Sequence, residues 1–135
     1  MEVLFVHGMG RSPLSGWPLL RQLKRAGFNT QSFGYLVSVE SFASIQNRLE
    51  ATIAEVAQRG NYVLIGHSLG GVLMRATLNA LHESIPKPTH VFLLGSPIKP
   101  SRFAKSFSSC RVFRALTRDC FTRPGHAANN FRKEN

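Results

Sequence analysis

Apolar residues in this chain fall into short dense runs, separated by longer stretches in which they return every three or four positions. Val3-Leu4-Phe5-Val6 is the first dense run and predicts a strand. Ser15 to Ala26 then predicts a helix with Trp17, Leu19, Leu20 and Leu23 on its apolar side; Pro18 is tolerated near the first turn and Gly27 ends it. Thr30–Tyr35 is more polar and predicts a second strand. Ser41 to Gln58 is the clearest helical segment, because Phe42, Ile45, Leu49, Ile53, Val56 and Ala57 recur at helical spacing before Gly60-Asn61 stops them. A strand over 62–66 follows, then a helix from Val72 through Leu78 to about His82. Pro86-Lys87-Pro88 leads into a strand over His90–Leu94.

Strands that alternate with helices need crossover connections, so the expected class is α/β with a parallel sheet. Beyond Gly95-Ser96-Pro97 the pattern weakens. Residues 101–118 read as a basic helix through Phe103, Phe107, Val112, Phe113 and Leu116, and residues 121–135 as an irregular basic tail. The expected organisation is one domain over 1–120 followed by that tail. There is no internal repeat.

Composition narrows the function classes. A chain of 135 residues with 43% hydrophobic and 18% charged positions can bury a core and is not of disordered type. The net charge of +10 is uneven, at +3 over residues 1–98 and +7 over 99–135. The basic end lacks the aromatic interleaving of a nucleic-acid reader, so a solvated face is expected and no nucleic-acid partner. Weak contact with anionic lipid heads is a further reading of the same charge. No apolar run reaches membrane-span length, and the N-terminus lacks the basic start and long apolar stretch of a signal peptide, so the expected location is cytoplasmic. Cys110 and Cys120 form neither a metal-type spacing nor a disulfide framework.

Gly66-His67-Ser68-Leu69-Gly70-Gly71 carries the chemistry. A strand, G-x-S-x-G and a helix in that order make a sharp turn that lifts the serine hydroxyl above the sheet edge. Gly66 and Gly70 lack a β-carbon, so strand and helix can close around a serine in a strained conformation. Two more motifs stand at compatible spacing: His7-Gly8-Met9-Gly10 after the first strand, and Leu94-Gly95-Ser96-Pro97 after the last.

On these three motifs the chain resembles the α/β-hydrolase superfamily, specifically its bacterial lipase- and esterase-like members, over roughly residues 2–118. The resemblance implies a partial α/β-hydrolase fold of about four parallel strands in a three-layer α/β/α sandwich. It implies Ser68 as the nucleophile toward a small-molecule or lipid acyl ester or thioester, with the backbone N–H groups of Leu69 and Met9 as the oxyanion hole. Gly8 and Gly10 would let the Met9 loop approach the substrate, in an apolar mouth near Met9, Trp17 and Leu69. Such chemistry needs no metal and no organic cofactor.

The family order is Ser, then Asp or Glu, then His. Downstream of Ser68 the acids are Glu83, Asp119 and Glu134, and the histidines His82, His90 and His126; Asp119 with His126 alone fits away from the helix after Ser68. No strands of the family's type separate those two, and Asp119 in a basic segment reads as an ion-pair partner or helix terminator. His7 reads as structural, His67 as pointing away from its neighbour Ser68, and His82 and His90 as ordinary surface or boundary residues. Three explanations stand: a truncated or frame-shifted hydrolase, a fragment completed by another chain, or a compact non-enzymatic descendant; the first is favoured. A truncated sheet would expose the 90–94 strand as an edge and favour a homo-oligomer through it. The competing function is an inactive remnant or interaction module.

Overall fold

The structure, a computed structural model, describes residues 1–96. The predicted basic helix, the tail from 121, Asp119 and His126 lie outside the described residues. β1 (Glu2–Val6), β2 (Asn29–Phe33), β3 (Tyr62–His67) and β4 (His90–Leu94) form one parallel sheet in the order β2-β1-β3-β4. A 3₁₀ turn over Pro13–Gly16 precedes α1 (Trp17–Arg25), and α2 (Phe42–Gln58) and α3 (Leu69–Ala80) complete the described helices. This is the expected α/β class with four parallel strands flanked by helices.

The inner strands are apolar on both faces, which requires cover on both sides. Leu4, Val6, Tyr62 and Leu64 point into the larger core with Ile45, Leu49 and Ile53 of α2 and Leu73 and Met74 of α3. Val3, Phe5, Val63 and Ile65 point the other way, onto Leu20 and Leu23 of α1. Alternate residues of one strand therefore fill two cores, each aliphatic side chain contributing about 1.5–3 kcal/mol on burial. β4 lies at a sheet edge among the described residues. Its Val91 and Leu93 pack on the larger core, while Phe92 is 51% and Leu94 42% exposed.

The sequence expectations need correction mainly around α1. Residues 13–16 form a 3₁₀ turn rather than the start of one helix from Ser15, and Pro18 falls in the first turn of α1, where a missing N–H costs nothing. Trp17 is 53% exposed and Leu19 is exposed too, so the buried stripe of this helix runs through Leu20 and Leu23. Trp17 instead carries the Arg21 guanidinium over its ring at 5.0 Å. β2 ends at Phe33 rather than Tyr35, and α3 at Ala80 rather than His82. α2 matches its expected span; Ser41 caps it, its Oγ accepting from the Ser44 amide at 3.2 Å. No helix among the described residues is long and apolar enough to cross a membrane.

Candidate active site

The order β2-β1-β3-β4 sends the chain from β1 outward to β2 and back across to β3. The carboxyl ends of β1 and β3 lie side by side with their following loops diverging, which is where open α/β sheets place ligands. In the parallel register Val6 pairs with Gly66. Two steps further along each strand are Gly8 and Ser68, and a β-carbon on Gly8 would lie 3.2 Å from the Ser68 Cβ. The loop after β1 thus stands beside the serine.

Ser68 sits at the β3–α3 junction with φ 51° and ψ −120°, the sole non-glycine residue at positive φ among the described residues. An L-residue there is strained by about 1–3 kcal/mol and persists when its surroundings over-determine it. Those surroundings are visible. The Ser68 amide donates to Leu94 O at 2.9 Å, and its carbonyl accepts from the Gly71 amide at 3.1 Å and from Ser96 Oγ at 2.8 Å. The end of β4 therefore grips the turn from the outer side. From the inner side, a β-carbon on Gly70 would lie 2.2 Å from Val6 O and 2.4 Å from His7 O, so α3 is pressed directly onto the β1 backbone. A β-carbon on Gly71 would meet Ser96 Oγ at 2.0 Å, and one on Gly66 would meet Gly71 Cα at 2.5 Å.

The loop after β1 is held from within. His7 is buried, and its ring stacks on Tyr35 with centroids 4.4 Å apart and planes 10° from parallel. Its Nδ1 hydrogen-bonds Gly8 O at 2.7 Å and its Nε2 lies 3.4 Å from the Tyr35 amide. These partners fit a neutral ring that donates from Nδ1 and accepts at Nε2. Tyr35 Oη donates to His7 O at 2.7 Å. Arg11 N to Gly8 O at 3.3 Å closes a turn that carries Met9. Tyr35→Phe keeps the ring stack and removes one bond to the loop, so it is expected to cost about 1 kcal/mol of stability. It should also speed hydrogen exchange at the Arg11 amide, which closes the turn on Gly8 O; unchanged exchange would detach Tyr35 from the loop's positioning.

A cavity of about 570 Å³ opens beside this loop, between His7 and Met9 on one side and Tyr35, Leu36 and Val37 on the other. Met9 lines it as expected. Trp17, Leu69 and Ser68 are not among its lining residues. Its outer wall is braced by Glu40, which accepts from the Leu36 amide at 2.7 Å and pairs with Arg48. Arg48 in turn donates to Gly34 O at 2.9 Å. The Leu36 amide, and then Arg48, hold the Glu40 carboxyl below its ordinary value of 4.5. A depressed carboxyl stabilises the fold above that ordinary value and loses its contribution as pH falls through the lower, folded-state value. Protection of the Leu36 amide from hydrogen exchange is therefore expected to fall below about pH 4.5. Glu40→Gln should show weak protection already at neutral pH, and equal profiles for the two proteins would contradict the brace.

Among the expected site residues, Ser68 and Leu69 lie at the start of α3, where the first N–H groups of a helix have no intrahelical partner. Met9 lies across from them on the β1 loop. His7 has the structural place foreseen for it. His82 and His90 are exposed, His82 against Ser84 Oγ at 2.7 Å and His90 stacked with Phe92. No histidine among the described residues hydrogen-bonds Ser68. Two supporting residues escaped the sequence reading. Ser96 was visible only as part of a Gly-Ser-Pro turn, and Tyr35 carried no signal beyond its aromatic character at a strand end. Among the described residues no group of three or more His, Cys, Asp or Glu could hold a metal ion.

The alpha/beta hydrolase family model matches residues 3–132. The chain belongs to the alpha/beta hydrolase family. Similar solved structures agree on the fold of this hydrolase-family chain. A protein described as a hydrolase of the alpha/beta superfamily, from Xanthomonas campestris pv. campestris, superposes with a TM-score of 0.62 at 18% identity, over 75% of this chain and 61% of that one. A methylesterase from Arabidopsis gives 0.59 at 19% identity, over 73% and 44%. A monoacylglycerol lipase from Paleococcus ferrophilus gives 0.58 at 22% identity, over 80% and 46%. The chain thus spans between about two-fifths and three-fifths of the length of these hydrolases. A search of curated proteins finds no match.

Proposed function

We propose that this alpha/beta hydrolase chain is a serine hydrolase of lipase or esterase type, acting on carboxylic esters or thioesters through an acyl-enzyme on Ser68. The observation that carries the reading is the strained Ser68 backbone at the β3–α3 junction, with the Gly8–Met9 loop against it. In this reading Ser68 Oγ attacks the acyl carbonyl, the alcohol or thiol leaves with a proton, and water later releases the acid. The Leu69 and Met9 N–H groups meet the negative charge that develops on the carbonyl oxygen, each donor lowering the barrier by about 3 kcal/mol. Two of the similar structures are by name a methylesterase and a monoacylglycerol lipase, which supports ester substrates.

This reading takes no proton acceptor from His7, His82 or His90. His7 has both ring nitrogens engaged and stacks on Tyr35, and the exposed His82 and His90 are engaged elsewhere. A fluorophosphonate probe tests the reading. The native chain should be labelled, and Ser68→Ala should abolish labelling and turnover of 4-nitrophenyl butyrate. An intact fold with no labelling would instead favour the inactive remnant or interaction module. If labelling of the native chain vanishes in His126→Ala, that histidine supplies the base.

A further inference from the structure

The cavity beside the β1 loop has a charge character that ester hydrolysis alone does not explain. Its lining contains one formally charged side chain, Arg11, and no acid. Arg11 is exposed and has no carboxylate within ion-pair distance among the described residues, whereas Arg48 and Arg59 are paired with Glu40 and Glu2. Glu40, behind the wall, is already engaged by Arg48 and the Leu36 amide. The hydroxyls of Ser12, Ser15 and Ser38 also line the cavity and make no hydrogen bond among the described residues. A guanidinium with three hydroxyls gives the cavity a cationic, donor-rich lining with no carboxylate. The apolar part of the lining comes from Met9, Leu36 and Val37.

We propose that this cavity is an anion subsite in which Arg11, assisted by Ser12, Ser15 and Ser38, receives a carboxylate or phosphate group of the substrate. The planar guanidinium fork matches either group with two parallel hydrogen bonds. About 570 Å³ is within the range of small-ligand sites. The substrate class is then an ester that also carries a carboxylate or phosphate group, such as a half-ester of a short dicarboxylic acid. The anion site rests on the cavity alone, while its use on a substrate rests on the ester-hydrolase reading above.

Binding of glutarate and of inorganic phosphate to the full chain, followed by calorimetry, separates the two anions without any turnover. Glutarate should bind, Arg11→Gln should weaken it about tenfold, and Arg11→Lys should weaken it less. Arg25→Gln, on the exposed side of α1, should bind as the native chain does. Binding should also weaken as salt is raised. Phosphate binding in place of glutarate would assign the site to phosphorylated esters. Neither anion binding more tightly to the native chain than to Arg11→Gln would overturn the subsite. In turnover, the preference for 4-nitrophenyl hydrogen glutarate over 4-nitrophenyl butyrate should fall about tenfold in Arg11→Gln. A chain that binds glutarate but resists fluorophosphonate would refute the hydrolase reading and leave the subsite standing. A chain that is labelled but binds no anion would do the reverse.

Discussion

Gly70→Ala is expected to lower the thermal midpoint of the domain more than any other single methyl addition described above. Its β-carbon would lie 2.2 Å from Val6 O and 2.4 Å from His7 O, both backbone atoms at the end of an inner strand. Neither can swing aside as a side-chain tip can. Alanine gains about 1 kcal/mol over glycine in helix propensity, which works against the clash. Overpacking against fixed backbone costs about 1–3 kcal/mol and sometimes more, and here α3 would have to lift off β1. With the clash at the upper end of that range, a net loss of about 2 kcal/mol is a substantial share of the 5–15 kcal/mol typical of a domain. Gly10→Ala supplies the contrast: it meets nothing within 4 Å, so only its φ of +68° opposes the change. That substitution should cost about 1 kcal/mol. Thermal unfolding followed by circular dichroism measures both, and a Gly70→Ala midpoint equal to that of Gly10→Ala would disprove the tight helix–strand contact.

Ser68 offers the second large effect, and it separates activity from stability. Ser68→Gly and Ser68→Ala both remove the hydroxyl, so each should reduce ester turnover by about a thousandfold or more if Ser68 is the nucleophile. Their stabilities should part. At φ 51° and ψ −120° alanine keeps the strain of serine, whereas glycine enters that region freely. Relief of about 1–3 kcal/mol is partly offset by the greater freedom of glycine in the unfolded chain, about 0.4–1 kcal/mol. Ser68→Gly should therefore be the more stable variant by roughly 1 kcal/mol, seen as a higher denaturant midpoint at equal slope. Equal midpoints would show that the turn is not strained in solution.

The sequence was most legible where burial is one-sided or complete. α2 shows a clean apolar stripe because its outer face meets solvent, and β3 is apolar throughout because helices cover both of its faces. Around α1 the apolar residues outnumber the buried places, so hydrophobicity alone named Trp17 and Leu19 for a core that holds Leu20 and Leu23. The serine was legible through its glycines, since the closeness of β3, α3 and β1 excludes a β-carbon at each of them. What holds the site was not. Tyr35 reaches His7 across 28 positions, and Ser96 reaches Ser68 across 28. Neither link leaves a local pattern. The cavity beside the β1 loop left no local pattern either: its walls come from that loop and the segment after β2, which meet through sheet order rather than through sequence.

The pairing of β1 with β3 has a temporal consequence. Those strands join Glu2 to Tyr62 and Val6 to Gly66, with a helix, a strand and a second helix threaded between them. Parallel pairing over such a span is among the slower events in folding, because the loop must close before its contacts compensate. No local fragment, neither the hairpin-sized start of the chain nor the isolated β3–α3 turn, brings Gly8 beside Ser68. The reactivity proposed for Ser68 would thus be a late-arriving signal, and its recovery during refolding would time the moment when the two halves of the sheet come together.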